Sequence, residues 1–128
     1  MPTPDISIDD DAIEVAWTIV QGNDVNRSLR IRSDVDGTTS YWDLTGYTIS
    51  GQVRTAQDSD STLLGSITGT PHATQSGDTK GQFSLTITRS ATANFPRRCF
   101  GDVIFTSPDE DTRGLIRIVF TVERSITP

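Results

Sequence analysis

Between Gln82 and Thr88 apolar and polar side chains alternate without a break, with Phe83, Leu85 and Ile87 set against Ser84, Thr86 and Thr88. On an extended backbone successive side chains point to opposite faces, so a period of two sends one face to a core and leaves the other in water. The same period recurs in Ile13, Val15, Trp17 and Ile19, in Leu29 and Ile31, in Ile49, Gly51 and Val53, and in Ile116, Ile118, Phe120 and Val122. Runs of this length at short intervals, with no long stretch of period 3.6, predict an all-β chain. An antiparallel β-sandwich of about seven to nine strands fits that count, with a closed barrel as the main rival.

The segments between the runs carry turn chemistry. Gln21-Gly22-Asn23-Asp24, Asp34-Val35-Asp36-Gly37 and Asp43-Leu44-Thr45-Gly46-Tyr47 are rich in residues that tolerate positive φ or bond to their own backbone. Gly46 is expected in a conformation that a residue with a Cβ resists. Gly51, on the inward phase of its strand, predicts a bulge or a large neighbour such as a tryptophan. Ser90 is placed to cap a single turn over Ala91 to Asn94 that Pro96 ends, so at most one short helical turn is expected, near 90–95. Residues 1–11 read as an extended N-terminal arm, because Pro2 and Pro4 favour open backbone and Asp9, Asp10 and Asp11 repel one another. Residues 12–128 then form a single β-sandwich domain, which is what 128 residues sustain around one core.

Charge and cysteine content narrow the function classes. A net charge of −6 opposes binding to a nucleic-acid backbone, since that affinity comes from Lys and Arg displacing counterions from phosphate. No run approaches the 18 or so apolar residues of a membrane helix, and the start of the chain lacks the basic and apolar regions of a signal peptide. Cys99 is the one cysteine, so neither an internal disulfide nor a cysteine zinc site is expected. Asp34, Asp36 and Asp43 lack the further ligands of a calcium loop and read as turn residues. His72, the one histidine, has no glycine-framed serine to activate, and Cys99 beside Arg97 and Arg98 has no evident base. The expectation is a protein that is not an enzyme, with no cofactor and no metal.

The remaining candidates belong to an interface. Ile6 and Ile8 lie on one side of the extended arm, which docks as a short edge strand or on a neighbouring subunit. Arg30 and Arg32 form a basic stripe opposite Leu29 and Ile31, suited to the acidic loops of an adjacent copy. Tyr41, Trp42 and Tyr47 flank a turn at one end of the domain, where they plug that end or present a contact surface. Trp17, on the apolar phase of its strand, belongs to the core.

Several of these segments together resemble a known family. Gln21-Gly22-Asn23-Asp24, the Leu29/Ile31 strand, Asp36-Gly37, Asp43-Leu44-Thr45-Gly46-Tyr47, Val53-Arg54, Phe83-Ser84-Leu85-Thr86-Ile87-Thr88, Gly101-Asp102-Val103-Ile104 and the Ile116-to-Val122 strand occur in that order. They are similar to small bacteriophage virion structural proteins related to the immunoglobulin-like N-terminal domain of phage baseplate upper proteins. The resemblance spans about residues 15 to 124. It implies an immunoglobulin-like sandwich, synthesis in a bacterial host cytoplasm, and a place in the virion. It also implies other virion proteins as partners, with a homo-oligomer or multiple copies per particle, and neither nucleic acid nor membrane. The expected role is a tail, baseplate or fibre-attachment component. The alternatives are a capsid decoration (cement) protein and a carbohydrate-binding host-adhesion module using Tyr41, Trp42 and Tyr47. In larger relatives coiled-coil or fibre segments follow the module, whereas this chain stops at Pro128 and is expected to stand alone.

Overall fold

The computed structural model describes residues 5–7, 12–35, 37–56, 60–109 and 112–124. They form an all-β chain of nine strands, β1 (Asp5–Ser7), β2 (Ala12–Val20), β3 (Val25–Val35), β4 (Thr38–Tyr41), β5 (Thr48–Arg54), β6 (Leu63–Pro71), β7 (Gln82–Ile87), β8 (Arg98–Thr106) and β9 (Thr112–Glu123). The alternation in sequence becomes alternation in burial: along β7, Phe83, Leu85 and Ile87 are buried and the residues between them are half-buried. In β9, Ile116, Ile118, Phe120 and Val122 are buried while Arg117 and Thr121 are exposed.

One hydrogen-bonded path runs through the sheet in the order β1-β3-β7-β6-β5-β8-β9-β2, with β4 paired to β3 off that path. Six pairings are antiparallel as expected. The two outermost pairings, β1 with β3 and β9 with β2, are parallel. Parallel neighbours need a long connection between them, and here β2 intervenes between β1 and β3 while most of the chain separates β2 from β9. Residues 21–24 join β2 directly to β3, although these strands lie near opposite ends of the path. A flat sheet cannot satisfy so short a link, so the sheet rolls until its ends approach. Arg27 of β3 spans the seam: its Nη2 donates to the Thr18 carbonyl of β2 at 3.3 Å, and its guanidinium lies 5.4 Å from the Trp17 ring centroid.

The inward face of β6, β5 and β8 is a checkerboard of glycines and large residues. Val53 lies between Gly65 and Gly101, Gly51 between Ile67 and Val103, and Ile49 between Gly69 and Phe105. The pattern continues into β9, where Ile118 faces Gly101. Inward side chains on neighbouring strands stand about 5 Å apart, too close for bulky residues at every position of a tightly rolled sheet, and the glycines vacate alternate squares. A Cβ on Gly101 would stand 2.8 Å from Phe120 Cε2 and 3.2 Å from Ile67 Cδ1. The large neighbours of Gly51 are Ile67 and Val103, not a tryptophan, and a Cβ there would meet the Asp102 carbonyl and Val103 Cα of β8. Trp17 instead packs edge-on against Phe120, with centroids 6.0 Å apart.

The short helix α1 spans Arg89–Thr92 and is flanked by Thr88, so Ser90 lies within it and does not cap it. The Arg89 amide is satisfied from across the fold by Asp24 Oδ1 at 2.8 Å. A 3₁₀ turn at Gly77–Thr79 adds a second helical turn where at most one was expected. Its origin is local: Thr79 and Lys80 donate back to Ser76 and Gly77 in a loop too short to extend further.

Candidate functional site

Most of the residues nominated from sequence gather around the middle of β3. Residues Asp5, Ile6 and Ser7 pair in parallel with Arg30, Ile31 and Arg32, so the arm borders the basic stripe, and Ile8 lies outside the described residues. Leu29 and Ile31 are buried while Arg30 and Arg32, on the other phase, are half-buried. Arg30 is held within its own chain: Nε donates to the Lys80 carbonyl and Nη2 to the Gly77 carbonyl, both at 2.8 Å, and the guanidinium stacks 3.4 Å from the Tyr41 ring centroid. Arg32 is the register partner of Tyr41.

Trp42 and Tyr47 turn the other way. Trp42 meets Phe105 edge-on at 6.0 Å and Tyr47 at 6.4 Å, and its Nε1 donates to Ser33 Oγ at 2.9 Å. With the fully buried Leu44 they close one end of the core. The turn that carries them is set locally. Asp43 Oδ1 accepts from the Thr45 hydroxyl and amide, which together hold the exposed carboxyl below its ordinary range, the hydroxyl more than the amide. Tyr47 N then donates to the Leu44 carbonyl with Gly46 at φ 77, the positive value its position requires.

Gln75 is a residue that sequence reading passed over. Its Oε1 accepts from Leu44 N at 3.0 Å and Gly81 N at 2.9 Å, and its Nε2 donates to the carbonyls of His72 at 3.0 Å and Gln82 at 3.1 Å. One side-chain amide thus uses its whole bonding capacity to tie three loop segments together. No local pattern marks such a glutamine, since its partners lie 31 residues away as well as nearby.

The residues with catalytic potential lie apart. His72 Nδ1 contacts the Thr74 amide at 3.0 Å within its own loop. Cys99 is buried on β8, and burial pushes its thiol up to about 11. Among the described residues no group of three His, Cys, Asp or Glu side chains is arranged to hold a metal ion.

A second surface lies on the outward face of β6, β5 and β8, behind the glycine checkerboard. Side chains there enclose an open trough of about 690 Å³. Across the strands Gln52 is the register partner of Asp102, Arg54 of Phe100, and Ser50 of Ile104. Ile104 is 42% exposed. Arg54 is fixed, its Nη1 donating to the Ser61 carbonyl at 2.7 Å and its Nη2 to Gln52 Oε1 at 3.0 Å. In sequence this face is hidden because Phe100 and Ile104 make β8 apolar on both phases, so periodicity does not reveal which side faces water.

No family model matches the chain, and no curated protein matches it. Among solved structures it is similar to a chain in the structure of PbICP-C in complex with falcipain-2, at 11% identity over 95% of this chain and 99% of that one. The TM-score is 0.46.

Proposed function

We propose that this chain is a non-enzymatic bacteriophage virion structural protein, a tail, baseplate or fibre-attachment component that joins other virion proteins through its loops and strand edges. The sequence resemblance over residues 15 to 124 motivates the reading. The observation that carries it is the pairing of Asp5–Ser7 with β3. A segment from the chain's N-terminal region adds as a strand to an existing rim, which is how an extended arm joins a neighbouring sheet when it reaches across instead of back. The nine-residue strand β2 forms the opposite rim of the same path. We read the rolled sheet as an immunoglobulin-like sandwich, a finer description supported by the direct β2-to-β3 link that brings the ends of the path together.

Removing residues 1–11 tests the assembly role. The truncated chain is expected to remain a folded monomer by circular dichroism and light scattering, yet to be missing from particles assembled in the host. Normal incorporation of the truncated protein would reject the role of the arm. Density for the protein in cryo-electron microscopy of whole particles would locate it, and density on the capsid shell would favour decoration over a tail position.

A further inference from the structure

We propose that the trough across the outward face of β6, β5 and β8 is a binding site for an uncharged oligosaccharide. The site is independent of where the protein assembles and is separate from the Tyr41, Trp42 and Tyr47 group, of which Trp42 and Tyr47 close one end of the core.

The volume of about 690 Å³ falls within the range of ligand sites, and the open form suits a chain lying along the surface. The polar groups are matched to hydroxyls. Gln52 Oε1 is taken by Arg54, which leaves the Gln52 amide nitrogen as a donor beside the Asp102 carboxylate acceptor on the next strand. Sugar hydroxyls both donate and accept, so neighbouring hydroxyls satisfy such a pair. Phe100 and Ile104 provide apolar surface on either side of this polar row, where the C–H face of a pyranose loses water. Because these residues stand on strands and Arg54 is braced by Ser61, little ordering accompanies binding.

The same features disfavour other occupants. Among the described residues lining the trough, Arg54 and Asp102 are the charged ones and cancel. Arg117, the exposed register partner of Asp102 on β9, adds one cation at the border, in a chain of net charge −6, so a polyanion gains little. An extended peptide binds by adding to an open strand edge, whereas β5 is bonded on both sides, to β6 and to β8.

The test is a printed array of bacterial and eukaryotic oligosaccharides probed with the intact protein, followed by ¹⁵N NMR titration with the strongest uncharged binder. The expected result is binding of a subset of uncharged glycans, with shifts centred on Gln52, Asp102 and Ile104. Phe100→Ala and Gln52→Ala are each expected to weaken binding about tenfold or more, as truncation of a central anchor does. Tyr41→Ala, outside the trough, should bind as wild type. Circular dichroism melts separate lost binding from lost folding, and Asp102→Asn, at an exposed position, gives a second variant if Phe100→Ala unfolds. Absence of any uncharged glycan signal would overturn the proposal. So would selective binding of polyanionic glycans, or unchanged affinity in Gln52→Ala and Asp102→Asn.

Discussion

Replacing Gln75 by alanine removes one acceptor from two backbone amides at once, those of Leu44 and Gly81. Both residues are buried, so each amide loses its partner in a place that water reaches poorly. An unsatisfied buried donor costs about 1–3 kcal/mol. The lost donors matter less, because the Gln82 carbonyl keeps a second bond from His72 N at 2.9 Å. Gln75 itself is half-buried and some water can enter its place, which sets the expected loss at roughly 2–4 kcal/mol. Unfolding entropy of about 2.1 cal/mol/K per residue over 128 residues converts this to a fall in Tm of roughly 7–15 °C. Gln75→Glu separates the two halves of the network. It keeps the acceptor for both amides but sets a carboxylate oxygen against the His72 and Gln82 carbonyls. Two amide donors favour the charged carboxyl, but two facing carbonyl oxygens and partial burial oppose it. The second effect is expected to win, so that the proton is bound more tightly in the folded state than in the unfolded one. The native state therefore carries the extra proton, and stability falls as pH rises through that interval. The deficit of Gln75→Glu relative to wild type should shrink between pH 7 and pH 4.5, while that of Gln75→Ala stays constant. Thermal melts followed by circular dichroism at the two pH values measure both. A Tm for Gln75→Ala within about 1 °C of wild type would refute the argument, as would a Gln75→Glu deficit that grows on acidification.

Two further expectations follow from the core. Gly101→Ala places a methyl group against Phe120 and Ile67 and should cost about 1–3 kcal/mol by overpacking; adding Phe120→Leu should recover part of that loss in a double-mutant cycle, and strict additivity in urea unfolding would disprove the contact. Cys99, with its thiol pushed from an ordinary 9.0 up to about 11, stays protonated in the folded state after the unfolded chain has ionised. Stability should accordingly decline by about 1.4 kcal/mol per pH unit between pH 9 and pH 11, relative to Cys99→Ala. Alkylation of native protein at pH 8 should be no faster than global unfolding; labelling within seconds without unfolding would show that the thiol is accessible.

The all-β class was legible because alternation is a property of neighbouring residues, and the burial of β7 and β9 follows the phase read from Phe83 and Ile116 onward. The turn at Asp43 to Tyr47 was equally legible, since Gly46 needs a positive φ and Asp43 bonds two residues along. Sequence also brought forward most of the residues that meet at the β3 rim, but not what they do there. Arg30 reads from sequence as part of a basic stripe suited to the acidic loops of an adjacent copy, whereas its bonds to the Gly77 and Lys80 carbonyls depend on a loop 47 to 50 residues distant. The parallel pairings at the rims, the four bonds of Gln75 and the trough around Gln52 and Phe100 arise from strands far apart in the chain. Their register is set when the sheet rolls and alternating glycines leave room for Val53, Ile67 and Phe105. Local chemistry determines where the backbone extends and where it turns. Which strands become neighbours, and hence which side chains share a surface, is decided by packing a rolled sheet around one core, a constraint no short window of sequence contains.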